Sequence, residues 1–353
     1  MKTLLKKIVP ESLFLVLVKL RDDVNYFKLV VAKSNKITAY FSLLWSRLYL
    51  NEHFAFLRGA YDYESRLRHG KRNLYFIRRN VHRIEKGLTM IPRRQVFALR
   101  FILETVEAFK FLSDDSGRIK TSEYNWAKTV LDEYFDVTDS DHEQYLKAQS
   151  LYRSLSTSFD SKVEGPVEYK NEIEIDKYLS LKLLCENRKS VRWFKTKKVS
   201  KNLINKALEV ALLSPSSCNR QPFKFYIISD PELAREVAKV PAGTVGWSEN
   251  VQCIAVLVGD LKAFSNIANR HSIYVDGTLA VMPFVLALEA QGLSSCIINW
   301  ADNHDREKKM CQLIGLSDSE KVVLSIAIGH AVDEVLVPYS KRKSIKEISE
   351  FIE

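Results

Sequence analysis

Two short segments in the second half of this 353-residue chain carry residue types that could do chemistry. The first reads Asn187-Arg188-Lys189-Ser190-Val191-Arg192-Trp193-Phe194. Three cations and a hydroxyl within five residues suit a phosphate: guanidinium groups match its oxygens bidentately, and a serine adds a short donor. Taken alone, the cluster reads equally as a solvated basic turn. The second segment is Leu213-Ser214-Pro215-Ser216-Ser217-Cys218-Asn219-Arg220-Gln221-Pro222-Phe223. Its Ser, Asn and Gln groups and its exposed amides suit the edge of a flat heterocycle, and they also suit an ordinary polar loop between helix and strand. A third pattern lies in the first half: Arg78-Arg79-Asn80-Val81-His82-Arg83-Ile84-Glu85-Lys86-Gly87-Leu88. On a helix, His82, Glu85 and Lys86 share one face, with Arg79, Arg83 and Lys86 as a cationic stripe beside it. That is either an anion site, for a nucleotide phosphate or an acidic sugar, or a surface helix held by its own ion pairs. Gly87 and Pro92-Arg93-Arg94 carry the basic surface around a bend.

RxSxRxF followed by PSSxNxQPF resembles the FMN-dependent nitroreductase family. Later residues keep the family's order: Asp276-Gly277 at the start of a central helix, the turn Gly292-Leu293-Ser294-Ser295, Gly329, and the basic tail Lys341-Arg342-Lys343-Ser344-Ile345. The resemblance covers residues 178–353. It implies an α+β fold, with a central, mostly antiparallel sheet flanked by helices, built as an intertwined homodimer with FMN at each interface. Arg188 and Ser190 would bind the FMN phosphate or ribityl chain, Lys189 would approach the pyrimidine edge, and Arg192 would join them or be structural. Pro215, Ser216, Ser217 and Asn219 would reach the same flavin from the partner subunit, with Gln221 beside them or only stabilising the loop. Arg342 would meet the phosphate again. A backbone amide at Cys296 or Ile297 would approach flavin N5. Cys296 as a nucleophile is the sharper alternative to a buried thiol beginning a strand.

The implied activity is NAD(P)H-driven, ping-pong reduction of a small organic substrate. The chemistry is centred on the flavin, with no catalytic side chain and no metal. No dinucleotide fingerprint chooses between NADH and NADPH. The alternatives are a flavin-dependent dehydrogenase or tailoring enzyme of a biosynthetic pathway, and a binding or scaffold protein tethered by its basic front. The HRIEKGL segment is itself similar to extensions of nitroreductase-like proteins associated with bacterial surface-polysaccharide pathways. Two departures from the family stand out. His330 replaces a usual aromatic and reads as a packed or surface residue. Residues 240–250 are short, which points to the N-terminal half as cover for the pocket. Trp247, within them, would either stack on flavin or substrate or sit in the core.

The elements that must position these residues follow from periodicity. Residues 201–213, 232–239, 279–291 and 306–314 have helical spacing. The apolar runs 223–229, 253–259, 296–300 and 322–329 read as strands, and CIAVLVG and VVLSIAIG are continuous, as in strands covered on both faces. Upstream, residues 73–112 give two helices separated by Gly87 and Pro92, and residues 121–160 give more. Residues 1–60 mix apolar and basic residues with no deciding period. The expected organisation is a basic, mainly helical domain over 1–160, a linker over 161–177 and the flavin domain over 178–353.

Charge follows the same division. Residues 1–110 hold 22 Lys/Arg against 9 Asp/Glu, or +13, and the remainder hold 31 against 34, or −3. The front half therefore carries the whole net charge of +10. No helix-turn-helix, zinc finger or aromatic RNA-binding pattern accompanies it, so no nucleic acid is expected. Lys6, Lys7, Lys19 and Arg21 flank the apolar run 13–18, as an interfacial helix on an anionic membrane requires; an acidic polysaccharide precursor is another partner of that charge. The run is too short to span a bilayer. Five cysteines with no CxxC fit a reducing compartment, so the chain is expected in the cytoplasm, with peripheral attachment to the inner face of the membrane as an option.

Overall fold

The computed structural model describes residues 10–45, 47–69, 73–113, 121–155, 165–166, 175–334, 336–338, 340 and 342–353. The chain divides into two units, residues 1–55 and 56–353. The undecided first segment is helical: α1 (Glu11–Ala32), α2 (Lys36–Trp45) and the start of α3 (Arg47–Arg68). Asn35 begins α2 by accepting from the backbone N–H groups of Ile37 and Thr38, both at 3.0 Å. Leu13, Leu15, Val16, Leu17 and Leu20 on α1 and Ile37, Tyr40 and Phe41 on α2 are all exposed. Lys6 and Lys7 lie outside the described residues.

The second unit opens with a helical layer: the remainder of α3, then α4 (Leu74–Leu88), α5 (Ile102–Ser113), α6 (Thr121–Val137) and α7 (Glu143–Ser154). Asn73 caps α4, accepting from the Phe76 N–H at 3.2 Å. Ile77, Val81, Ile84 and Leu88 recur every three to four residues and are buried against Ile102, Val106, Phe109, Leu131 and Tyr134. That stripe is what an amphipathic helix needs to find its place. Helical spacing extends α5 back to residue 95, but the structure starts it at Ile102. Ala98 sits in the left-handed region (φ 61°), and its carbonyl accepts from both Phe101 and Ile102. Most of the expected linker, residues 161–164 and 167–174, lies outside the described residues. Its last residues already belong to a helix, α8 (Ile175–Asn187).

The sheet follows: α9 (Lys201–Ala211), β1 (Phe223–Ile228), α10 (Pro231–Ala238), β2 (Cys253–Asp260), α11 (Ser272–Ala290), β3 (Ser294–Asn299), α12 (His304–Ile314), β4 (Glu320–Gly329) and α13 (Ile345–Ile348). The strand order is β1-β2-β4-β3, every pair antiparallel. β2 and β4 are central, which explains their unbroken apolar runs: each face is covered. On one face Ala207 of α9 and Ala280, Phe284 and Leu288 of α11 close over Ala255, Leu257, Ile326 and Ile328. On the other, Ala234 and Val237 of α10, Trp247 and Met310 of α12 close over Ile254, Val256 and Ala327. Residues 267–290 have the length and apolar character of a membrane-crossing helix, yet α11 buries Ile273, Ala280, Phe284 and Leu288 here. This is the α+β architecture expected, with a helical layer ahead of it.

Candidate flavin site

The phosphate-type segment begins where α8 stops. The Arg188 N–H closes the last turn on the Leu184 carbonyl at 3.0 Å. The chain then runs along the outer edge of β3: Ser190 bridges Ser295 in parallel, and the Val191 N–H donates to the Ser295 carbonyl at 3.0 Å. Val191 and Phe194 turn inward and are buried. Further on, the Lys195 N–H donates to the His330 carbonyl (2.8 Å) and the Val332 N–H to the Trp193 carbonyl (3.1 Å). The segment is thus stitched to β3 and to the chain leaving β4. Arg188, Lys189 and Ser190 precede these buried anchors and Arg192 lies between them, all four partly or fully open to solvent.

Arg188 acts on two buried groups, with Arg192 on one and Lys189 on the other. Burial pushes the Cys296 thiol up, and Arg192 and Arg188 pull it back only in part. Burial likewise raises the carboxyl of Glu289 on α11, against the pull of Arg188 and Lys189. Among the described residues neither Arg188 nor Arg192 forms an ion pair; the Arg192 Nη1 donates to the Ser190 carbonyl at 3.4 Å. A strand turns alternate residues to opposite edges. Ser295 directs its carbonyl outward to Val191, so Ile297 presents its amide to the same outer edge, whereas Cys296 faces β4. Cys296 is also 98% buried, with Sγ directed to the Ile297 carbonyl at 3.8 Å.

The heterocycle-type loop is held with little freedom. Ser217–Asn219 form a single 3-10 turn, and Cys218, Asn219 and Gln221 all have φ near +51°. Non-glycine residues take that conformation at a cost, so the surroundings must impose it. They do so through Asp276, which accepts from the Ser217 N–H at 3.0 Å, and through Ser216, whose Oγ accepts from the Gln221 N–H at 3.0 Å. The Gln221 side chain donates to Asn219 Oδ1 at 2.9 Å, and Arg78 of α4 donates to the Asn219 carbonyl at 2.8 Å. Asp276 is buried; burial raises its carboxyl, opposed by the Ser217 amide and by Arg220. The Asp-Gly pair was visible in the sequence, but its hold on a loop 59 residues earlier was not. Arg78 had no sequence signal for this role.

One chain does not bring the two segments together. Ser294 pairs with Gly329 and Cys253 with Ile328, so residues 190–191 and 294–295 share the end of the sheet at which β1 finishes. Phe223, just after the loop, pairs with Gly259 at the other end, on the far edge. Four strand spacings, counting the segment outside β3, and a six-residue strand put the segments at diagonal corners on the order of 25 Å apart. Arg342 makes its own local bond, Nη1 to the Ser340 carbonyl at 2.7 Å, and among the described residues no hydrogen bond or ion pair ties it to residues 188–192. Lys341 lies outside the described residues. Trp247 is in the core, 93% buried, with Nε1 donating to the Gly243 carbonyl at 3.0 Å.

A cleft of about 660 Å³ opens between the helical layer and the sheet, away from Arg188, with Tyr75, Arg78, Arg220, Gln221, Asp260 and Lys262 among its walls. Tyr75 donates to Asp260 at 3.0 Å across it. Burial raises the Asp260 carboxyl; the Lys262 amide and the Tyr75 hydroxyl oppose the shift. A carboxyl raised by burial charges more readily in the unfolded chain, so it weakens the fold as pH climbs above about 3.9. Tyr75→Phe removes a donor to the charged form. Its stability deficit is expected to be on the order of 1–2 kcal/mol at neutral pH and to shrink towards pH 3. Urea unfolding at the two pH values checks this; an equal deficit at both would rule the pairing out as its cause.

The Nitroreductase family model matches residues 185–246 and 249–330. Over 149 residues the chain is 26% identical to the "Putative NADH dehydrogenase/NAD(P)H nitroreductase" of Archaeoglobus fulgidus, covering 42% of this chain and 83% of that protein. Over 205 residues it is 25% identical to the "Putative NAD(P)H nitroreductase YdgI" of Bacillus subtilis, covering 48% and 95%. Among solved structures, an FMN-dependent nitroreductase of Clostridium difficile is 22% identical and superimposes with a TM-score of 0.41, covering 48% of this chain and 96% of that one. Over residues 185–330, then, the chain is similar to the nitroreductase family.

Proposed function

We propose that this protein is an FMN-dependent NAD(P)H oxidoreductase that works as a homodimer on a small organic substrate. One observation carries the reading: two ordered segments of complementary chemistry lie at opposite corners of one sheet, and a two-fold-related copy is the simplest way to join them. The outer face of α11 supports where the copies would meet. Val275, Leu279 and Met282 are each more than 40% exposed there, and α8, which packs against α11, exposes Leu179 and Leu183. Exposed apolar patches of this kind mark interfaces.

The residues present fit the group. Arg188, Lys189 and Arg192 supply charge for a phosphate without carboxylate partners of their own, and Ser190 adds a hydroxyl. Arg342 would join from the tail. The outward amide of Ile297 offers a donor to the flavin ring. The partner's own 215–221 loop, with Pro215, Ser216, Ser217, Asn219 and Gln221, would orient the ring and exclude water. Bound there, FMN supplies hydride acceptance from NADH or NADPH and electron delivery to the substrate. The buried, protonated Cys296 thiol is unsuited to nucleophilic attack, which fits chemistry centred on the cofactor. Incubation with FMN should give a yellow protein that oxidises NAD(P)H in the presence of a quinone or nitroaromatic. A chain that takes up no FMN sinks the proposal. A flavoprotein that ignores those acceptors points instead to a dehydrogenase or tailoring role.

A specific observation favours one further element. The described part of residues 10–55 exposes many large apolar side chains interleaved with Lys19, Arg21, Lys28, Lys33 and Lys36. That combination suits the anionic inner face of a membrane. Sedimentation with vesicles should be strong with anionic lipid and weak with neutral lipid; equal, negligible binding counts it out.

A further inference from the structure

The basic motif on α4 builds a cavity that the flavin site does not use. Arg83 and Lys86 of α4, with Arg94 beyond its end, line a space of about 370 Å³ backed by Phe97 and Phe101. The motif's own acid is committed elsewhere: Glu85 Oε2 pairs with His82 Nδ1 and Glu85 Oε1 accepts from Trp126 Nε1, both at 3.1 Å. Among the described residues Arg83, Lys86 and Arg94 form no ion pair. Glu104, whose charge Arg83 feels, accepts from the Asn80 amide. The Arg83 guanidinium lies 3.7 Å from the centre of the Phe101 ring, which fixes its plane at the cavity wall.

Gly87 shows that the wall is built rather than incidental. A Cβ there would stand 2.3 Å from the Phe97 ring, so only glycine lets the aromatic close against the helix. Glycine is a poorer helix former than alanine, so its place here is explained by the ring that packs on it. Ala98, also at the wall, holds its left-handed φ of 61°. Three like charges around one cavity repel each other. A monoanion leaves most of that repulsion in place, whereas a phosphoryl or pyrophosphoryl group removes it and matches the guanidinium forks. The volume leaves room for what the phosphate is attached to.

Position gives the site its role. Arg78, on the same helix, is bonded to the Asn219 carbonyl, and α4 packs against the 217–219 turn. The cavity therefore lies near the 215–221 loop. We propose that this cavity binds the phosphoryl group of a reactant, either the pyrophosphate of the nicotinamide dinucleotide or a phosphorylated electron acceptor, and holds it beside the flavin. Placement beside the flavin rests on the function proposed above; binding of the anion does not.

The test is calorimetric titration of inorganic pyrophosphate into the full-length chain saturated with FMN, compared with Arg83→Gln/Lys86→Gln and with Arg188→Ala. Both replaced α4 side chains are exposed, and matching unfolding midpoints would show that the double variant folds. Pyrophosphate affinity should fall at least about tenfold in the double variant and persist in Arg188→Ala. No binding to the parent chain, unchanged affinity in the double variant, or loss in Arg188→Ala alone would overturn the proposal. Steady-state kinetics with a neutral quinone then separate the two sources. A raised KM for NAD(P)H in the double variant identifies the dinucleotide. An unchanged KM alongside lost pyrophosphate binding identifies a phosphorylated acceptor. Failure of the flavin reading would appear separately, as a chain that never takes up FMN yet still binds pyrophosphate through Arg83 and Lys86.

Discussion

Arg188→Ala and Asp276→Ala should each be defective in FMN binding alone and should repair one another when mixed. Arg188 has no ion pair among the described residues and lies in the cationic segment along β3, so its loss should weaken FMN at least about tenfold. Asp276 touches no phosphate. It fixes the Ser217 N–H, and without it a turn that holds Cys218, Asn219 and Gln221 at positive φ loses its tie. In a mixed dimer, one site takes Arg188 from the Asp276→Ala chain and an intact loop from the Arg188→Ala chain. The other site collects both defects. Random exchange makes about half of the dimers mixed, so about a quarter of all sites should regain parental affinity. Fluorescence titration of FMN resolves this as a tight fraction. A mixture that behaves as the average of its two defective parents would mean that each chain builds its own site. Parental affinity in Arg188→Ala would remove that residue from the phosphate role. Asn219→Ala is a substitute for Asp276→Ala should the latter unfold.

This experiment is needed because the sequence carries chemistry more clearly than placement. The runs over β2 and β4 were legible as doubly covered strands because both are central, and α4 was legible because Ile77, Val81, Ile84 and Leu88 repeat without interruption. Residues 95–101 misled because local helical spacing was overridden by the left-handed Ala98, which no neighbouring glycine or proline announces. Residues 10–55 were undecided for a different reason. Among the described residues most of their large apolar side chains are exposed, so no stripe marks an inner side. In the site, the residue types of both segments could be read directly. That they sit at opposite corners depends on strand order, which periodicity does not contain. Trp247 had two equal readings until burial and its bond to Gly243 put it in the core. Asp276 and Arg78 act at long range on main-chain atoms of the loop, and a main-chain partner leaves no pattern in side-chain identity.

Gly329→Ala should disturb the proposed FMN site without touching it. The residue ends β4, and a Cβ there would stand 2.6 Å from Cδ1 and 2.8 Å from Cγ of Phe194. The ring is 96% buried, and its backbone is fixed by the Asn250 side chain at 2.8 Å and by a bridge to Ala331. It can withdraw only by moving the strand-like segment that carries Arg188 to Arg192. Overfilling of this kind costs roughly 1–3 kcal/mol, against which alanine's smaller unfolded-state entropy returns about 0.4–1 kcal/mol. A lower unfolding midpoint and a weaker FMN affinity are therefore expected together. Phe194→Leu in the otherwise parental chain should itself cost roughly 1 kcal/mol or more through the space it empties. In the Gly329→Ala chain the same change should restore stability, because the smaller side chain admits the new methyl. The double variant would then be more stable than the sum of its parts by at least about 1 kcal/mol, as neighbours sharing one space require. Additive losses would show that the two residues do not compete for that space, and a Gly329→Ala chain with parental stability would show that Phe194 has room to yield.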